Sequence, residues 1–244
     1  MSNVVKSVYK RISKTVVKRR LKHMEKLRRL AMENVNVLHV KILQGKSDGK
    51  LGSNVWHLSL MAVFDCINHD ICMWDCYDIK NVMIPRIRER VIKCRAINSA
   101  IHKLDTVRFW KEAQLQIEAN YITFLRINMG GDLTDEDFFY LADLAKNVSQ
   151  CDIMLFTKNY KGINEYLNVA ELPSNVHVIM SCWENVDFDN PYHLPVSHIL
   201  YPDGRTTAPD YGAIYCGKNC TACSYAKRGC WTLKEGDNLI LHAH

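Results

Sequence analysis

Seven of the ten cysteines in this 244-residue chain fall into two short groups, and clustered thiols in a reducing compartment more often bind metal than form disulfides. Cysteine group one follows a predicted strand with intervals of five and three residues, and it consists of Cys66, Cys72 and Cys76. Three thiolate ligands leave one coordination position open, which is typical of catalytic centres. His69 or Cys94 could instead supply a fourth ligand.

Cysteine group two places four cysteines within fifteen residues, and it consists of Cys216, Cys220, Cys223 and Cys230. This spacing suits a closed tetrahedral zinc site or a four-cysteine iron–sulfur cluster, and it does not choose between the two metals. Cys151 and Cys182 lie in apolar predicted strands, so we interpret them as small buried hydrophobic residues. Whether the two groups share one site stays open at this point.

Short apolar strands alternate with helices along most of the chain, which is typical of parallel β/α units. The predicted strands span 35–43, 54–64, 121–128, 151–157, 175–183 and 196–200, and the predicted helices span 4–32, 85–102, 106–119, 134–148 and 161–170. The pattern predicts an α/β fold in the form of a partial or irregular TIM-like barrel. The predicted domains are a basic helical arm at 1–34, an α/β core at 35–215 and a cysteine-rich metal-binding segment at 216–244, packed on the core.

A polar strand end in the middle of the chain is a candidate cofactor site. Arg126 and Asn128 alternate on one predicted strand, and Gly130, Gly131 and Asp132 follow it. Two glycines let a backbone approach a ligand closely, and a carboxylate can accept a hydrogen bond from an ammonium group. The alternative is a plain strand-to-helix turn in which Asp132 or Thr134 caps the next helix. Lys158 at the next strand end fits either an anionic ligand or a solvated lysine.

The order of several motifs resembles the phage and prophage "gene product eighty-eight" family from about Ser59 to the C-terminus. The motifs are group one ending in Cys-Tyr, FLRINMGGD, LFTKNY, LPSNVHVIMSCWENV, and group two ending in Cys-Trp with a terminal histidine. The resemblance implies a phage or prophage origin and an intracellular site of action, in the cytoplasm of the host. It implies no particular reaction, since the family has no established biochemical function.

A more distant resemblance, to radical S-adenosylmethionine enzymes, implies a mechanism. Group one with Tyr77 is similar to the three cysteines that hold the [4Fe–4S] cluster of those enzymes. Gly130, Gly131 and Asp132 look like their Gly-Gly-Glu element, which would make S-adenosylmethionine a second cofactor. The cysteine intervals differ from the usual three and two, and Asp132 stands in place of glutamate. Group two would then resemble an auxiliary cluster site.

The charge of the chain is divided unevenly. Residues 1–30 carry eleven Lys or Arg and one acid, Glu25, whereas the rest of the chain carries 21 bases and 25 acids. A segment so basic would attract a polyanion, which makes nucleic acid a candidate partner of residues 1–32. The alternative is a solvated helix that packs its apolar stripe on the body.

No run of 18 apolar residues and no secretory signal is present, so we expect no membrane partner. Three functions stay open. The chain could be a radical-SAM-like iron–sulfur enzyme acting on an unknown substrate. It could be a nucleic-acid-binding protein with structural zinc or iron–sulfur sites, or a cluster-bearing phage protein that binds a host protein without catalysis.

Overall fold

A seven-stranded parallel sheet forms the centre of the fold. The computed structural model describes residues 13–36, 40–45, 51–74, 76–184, 186–217 and 219–243. The strands run β1-β2-β3-β4-β5-β7-β6 across the sheet, and every neighbouring pair is parallel. Their bounds are β1 Trp56–Leu58, β2 Phe124–Ile127, β3 Asp152–Thr157, β4 Val176–Ser181, β5 Val196–Leu200, β6 Ala213–Tyr215 and β7 Asn238–His242.

Eight helices connect or cover the strands within the described residues. They are α1 Lys14–Asn34, α2 His69–Cys72, α3 Tyr77–Asn81, α4 Pro85–Leu104, α5 Thr106–Ala119, α6 Asp137–Asn147, α7 Tyr160–Leu167 and α8 Cys220–Tyr225, with a 3₁₀ turn at Gly229–Trp231. Local signals in the sequence explain several starts. Pro85 opens α4, and the side chains of Asp105 and Asn159 accept backbone hydrogen bonds at the starts of α5 and α7.

The two faces of the sheet are covered by different parts of the chain. On one face Leu125 and Leu155 join a large core with the helices, including Phe109 of α5 and Phe138 of α6. On the other face alternate strand residues pack against the cysteine-rich segment, in a smaller cluster that contains Leu51, Val55, Met154, Ile179, Cys220 and Trp231. This alternation follows from the two-residue repeat of a strand.

The predicted α/β fold with parallel units is confirmed, whereas the TIM-like barrel is not. The described strands form an open sheet with β1 and β6 at its two edges. A barrel keeps its helices outside and encloses the opposite face of the sheet. Here the cysteine-rich segment covers that opposite face, so its burial does not require the sheet to close.

The N-terminal region differs from the prediction in detail. The helix predicted at 4–32 is observed as α1, while residues 1–12 lie outside the described residues. The strand predicted at 35–43 is absent from its described part at 40–43, and residues 37–39 are not described. A single antiparallel bridge joins Gln44 to His57 in place of a hairpin. Two hydrogen bonds of 2.8 and 2.9 Å close this bridge.

The first and last described elements, α1 and β7, pack into the body. Val17, Met24 and Ala31 of α1 are buried in the large core, and β7 lies between β5 and β6 in the sheet. The predicted domain boundaries at 1–34, 35–215 and 216–244 therefore stay a prediction. Helix α1 shares the large core with the middle segment, and β7 shares its sheet. None of the helices in the described ranges combines the length and apolarity needed to cross a bilayer.

Candidate metal centres

The four cysteines of group two line a single cavity. Its volume is about 20 Å³, and its wall also includes Arg126, Met154, Phe156 and Trp231. Cys216 directly follows β6 and donates its backbone N–H to the Ile240 carbonyl at 2.9 Å. Cys220 and Cys223 lie on α8, and Cys230 lies in the 3₁₀ turn. The cavity is therefore bounded by the sheet on one side and by this cysteine-rich segment on the other.

The group-two loop is held in shape by local hydrogen bonds. Asn219 caps α8 by accepting from Ala222 N–H at 2.9 Å, and Arg228 N–H donates to the Cys223 carbonyl at 3.0 Å. Gly229 has a φ of +62°, a value that glycine adopts at little cost. A Cβ on Gly229 would lie 3.4 Å from Cys223 Sγ, so the loop returns close to the thiol.

Arg126 brings a buried positive charge to this cavity. Its guanidinium lies 4.9 Å from the Phe156 ring, and Nη1 donates to Cys220 Sγ at 3.8 Å. Its Nε is buried and has no hydrogen-bond partner. No carboxylate of the described residues forms an ion pair with it. A buried cation is costly unless an opposite charge accompanies it, and thiolates or a thiolate-bound metal would supply that charge.

Group one lies at the carboxyl edge of the sheet. Cys66 is in the turn after β1, Cys72 ends α2 and Cys76 precedes α3. Asn68, inside the group, donates to the Lys158 carbonyl at 2.8 Å and attaches this loop to the end of β3. Since ligands of open parallel sheets bind at this edge, the position suits a binding site.

Lys158 is the cation around which group one is arranged. Burial lowers its pKa, but interaction with Cys72, Asp132, Cys66 and Cys76 more than offsets burial and raises the pKa. Burial also raises the pKa of the Cys66 thiol and of the Cys76 thiol to about 12, which favours their protonated forms. Metal binding at group one would therefore have to release protons.

Neither group is a finished metal site. No three His, Cys, Asp or Glu side chains in the described ranges are arranged to hold a metal ion. The donor types fit nonetheless, because group two offers four sulfurs and a balancing cation on one cavity. His69, a predicted fourth ligand of group one, has its Nε2 3.2 Å from an oxygen of Asp70. The ligand assignments stay predictions.

The predicted cofactor residues form two separate environments. Arg126 faces the group-two cavity, whereas Asn128 has a φ of +62° and donates to Asp132 at 3.2 Å. The left-handed backbone at Asn128 ends the alternation that would have placed the two side chains together. Arg126 is thus closer to group two than to the strand end.

The carboxylate of Asp132 is engaged in hydrogen bonds within the protein. Its carboxylate accepts from Asn128 Nδ2, Leu133 N, Thr157 Oγ1 and Lys158 N at 2.7 to 3.2 Å. Burial raises its pKa, and the nearby Lys158 ammonium lowers it in part. These four donors fasten the end of β2 to the end of β3. Neither Asp132 nor Thr134 caps α6, because that helix begins at Asp137, whose carboxylate accepts from Thr134 N at 2.8 Å.

Gly130 and Gly131 admit another segment of the chain. A Cβ on Gly130 would overlap the Asp78 carboxylate, and a Cβ on Gly131 would overlap Leu60. Gly131 also has a φ of +80°. The close approach that we predicted for a ligand is therefore made within the protein, by Asp78 of α3 and by Leu60 after β1.

Some residues of this edge escaped the sequence analysis. His102 Nε2 lies 2.8 to 2.9 Å from both oxygens of Asp137, which also accepts from Trp110 Nε1 at 2.9 Å. His102 and Cys66 line one large cavity of about 670 Å³.

The prediction for Cys151 as a buried residue is confirmed, whereas that for Cys182 is wrong, because Cys182 directly follows β4 and is only partly buried. Burial is the main cause of the raised pKa of Tyr160, and Cys182 contributes to it. The rule that strand ends share an edge could have suggested this position for Cys182.

The fold and the two cysteine groups define a parallel α/β protein with a cysteine-rich segment on one face of its sheet. The family model described as "Gene product 88" matches residues 36–195, and the chain belongs to this family of phage gene products. The match includes group one and ends before group two. No curated protein and no solved structure matched the chain.

Proposed function

We propose that this protein binds a cysteine-ligated metal centre at group two, with an iron–sulfur cluster as the first candidate and zinc as the alternative. The observation that carries the proposal is the single cavity shared by Cys216, Cys220, Cys223, Cys230 and the buried Arg126. Each thiolate ligand carries a negative charge, so a metal–thiolate centre would balance the guanidinium.

The donor set suits either metal. A zinc ion would need the four sulfurs at about 2.3 Å, and a cluster would need the same four thiolates around its irons. The cavity of about 20 Å³ holds about one water molecule, so the loop would have to rearrange around either centre. The iron–sulfur cluster is the first candidate because group two resembles an auxiliary cluster site. The proposed location is the reducing cytoplasm of the host, where thiols stay available as ligands.

The test is metal analysis of protein that is purified without oxygen. We expect iron and acid-labile sulfide, with broad visible absorption, in the full-length protein. Replacing Cys223→Ser should abolish most of the metal bound at group two, because one of four ligands is lost. Cys151→Ala is the matched control, since Cys151 is buried in the large core and belongs to neither cysteine group. Metal content that is unchanged in the Cys223 variant would contradict the proposal, and zinc without iron would select the alternative.

Group one supports a second candidate function, a radical-SAM-like reaction on an unknown substrate. Its thiols lie at the carboxyl edge of the sheet, and Cys66 lines the cavity of about 670 Å³. When bound, a three-cysteine cluster with one open position would supply the electron that cleaves S-adenosylmethionine. Lys158, which interacts electrostatically with all three thiols, would partly neutralise the charge of such a centre.

The second function has its own measurement. Reconstituted, reduced protein is incubated with S-adenosylmethionine, and 5′-deoxyadenosine is quantified. We expect product from the full-length protein and none from Cys72→Ser, which leaves group two intact. A reduced protein that carries iron at group one and forms no product rules out this candidate, while the proposal for group two is unaffected.

A further inference from the structure

One face of α1 carries a continuous strip of positive charge. At 3.6 residues per turn the exposed Lys and Arg side chains of α1 fall within an arc of about 140°. These side chains belong to Lys14, Lys18, Arg19, Lys22, Lys26 and Arg29. The only acids on the same arc are Glu25 and Glu33, and Glu33 lies 3.9 Å from Arg29. The strip thus keeps a net positive charge.

The opposite face of α1 is fixed to the body. Val17, Met24 and Ala31 are buried in the large core, and Arg28 donates to Ser99 at 2.7 Å and to Asp65 at 3.1 Å. The helix is therefore a rigid ridge whose apolar side is already covered. A helix that binds a membrane needs that apolar side free to enter the lipid, so the packing argues against a lipid surface.

Helix α4 packs beside α1. His23 of α1 lies 3.1 Å from Glu89 of α4, so this acid is engaged by a side chain outside the strip. The positive charge of the strip therefore comes from α1 alone.

We propose that this surface of α1 binds the phosphate backbone of nucleic acid. From Lys14 to Arg29 the helix rises about 22 Å, over which one strand of a B-form duplex carries about six phosphates. Over the same length the strip carries six Lys and Arg side chains and one acid, Glu25, which is close to that charge density. Contacts to phosphate carry no sequence information directly, so a mixed-sequence duplex is a suitable ligand.

The experiment measures the salt dependence of binding with the full-length protein. Affinity for a short mixed-sequence DNA duplex and for an RNA duplex is determined between about 50 and 200 mM salt. The variant is the triple substitution Lys18→Gln, Lys22→Gln and Lys26→Gln. Each lost phosphate contact should lower the slope of log affinity against log salt by about 0.9, so the triple variant should lose about 2.7.

The matched control removes the same charge elsewhere. It carries Lys111→Gln, Lys146→Gln and Lys234→Gln, three exposed lysines away from the strip, and should keep the slope of the unaltered protein. Circular dichroism checks that both variants keep the helix content. Equal slopes for the two variants overturn the proposal. So does binding to phosphatidylserine vesicles that is as strong as binding to either duplex and equally reduced in the strip variant.

Discussion

The two cysteine regions accommodate a buried arginine in different ways. In the group-one region Arg95 of α4 forms an ion pair with Asp78, which lies beside Cys76 and Gly130. In the group-two region Arg126 faces a thiol and an aromatic ring, with no carboxylate partner among the described residues. The first region is thus balanced by the protein itself, whereas the second leaves a positive charge for a ligand to balance.

The difference coincides with the extent of the family match. The self-balanced region lies within residues 36–195, and the cysteines that face Arg126 lie beyond them. Arg126 itself belongs to the matched part, so a matched strand supplies the cation and the C-terminal segment supplies the sulfurs. We infer that the two regions respond differently when their arginines are removed, and the predictions below test this.

The largest effect is expected at Arg95. Arg95→Ala leaves the Asp78 carboxylate buried without its partner, where burial already raises its pKa. Loss of one member of a buried pair typically costs about 3–5 kcal/mol. Urea unfolding of the metal-free protein should show this loss in the free energy of unfolding.

The control for Arg95 is on the same helix. Arg90→Ala removes an exposed guanidinium from α4, and its expected cost is within about 0.5 kcal/mol. If the two variants unfold at similar urea concentrations, the Asp78–Arg95 pair does not stabilise the group-one region and the comparison fails.

His57 connects the two regions and predicts an acid-sensitive stability. Burial, and after it the nearby charges of Arg95 and Arg126, lower the pKa of His57 to about 3. The folded protein therefore favours the neutral ring, while the unfolded chain takes up a proton near pH 6.5. This contribution is complete above that pH and is lost as the pH falls toward 3.

The size of the acid effect follows from linkage. Between pH 6.5 and 5 the loss is about 2 kcal/mol, because each pH unit corresponds to about 1.4 kcal/mol. His57→Gln should flatten this part of the stability profile, measured by urea unfolding at several pH values. His23→Gln, on α1, is the control and should leave the slope in place. An unchanged slope in the His57 variant would show that other groups cause the acid sensitivity.

The sequence was sufficient to predict the repeated strand and helix units of the fold. Short runs of apolar residues predicted β2, β3, β4 and β5, because their side chains meet a core on each face of the sheet. The strand predicted at 35–43 is not formed at the described positions 35–36 and 40–43, and Gln44 after them makes one bridge to His57. The strand predicted at 54–64 was also too long, because β1 pairs with β2 over three residues only.

The candidate sites were predictable by residue type more than by arrangement. The cysteine spacing predicted that group two gathers in one place, and the four residues do line one cavity. Arg126, which also lines that cavity, was predicted to lie with Asn128 at the polar strand end instead. Its direction depends on where the left-handed backbone at Asn128 ends the alternation, and an asparagine does not by itself indicate that conformation.

The long-range contacts could not be predicted from the sequence. His102 and Asp137 lie 35 positions apart on different helices, and their hydrogen bond depends on how α4 and α6 pack. Gly130 and Gly131 were interpreted as a ligand loop because a glycine pair indicates a close approach without naming what approaches. The segment at Leu60 fills that role here.

The smallest expected effect distinguishes the two arginines most sharply. Arg126→Met removes a buried cation and keeps a long apolar side chain beside Phe156. Without metal the variant should be as stable as the unaltered protein or more stable, since replacing a buried charge by a hydrophobic residue is often neutral or favourable. Its affinity for metal should fall about 10- to 100-fold, as is typical when a group that supports a ligand is lost.

At Arg126 the two expected effects have opposite signs, because stability without metal is kept or increased while affinity for metal falls. At Arg95 the expected loss of stability does not depend on metal. Metal affinity is measured by competition with a chelator, and urea unfolding is measured on the metal-free protein. Arg126→Lys retains the charge and should recover part of the affinity. A methionine variant that binds metal as tightly as the unaltered protein would mean that the guanidinium does not serve group two. A methionine variant that is strongly destabilised without metal would mean that Arg126 has a partner within the protein, as Arg95 does.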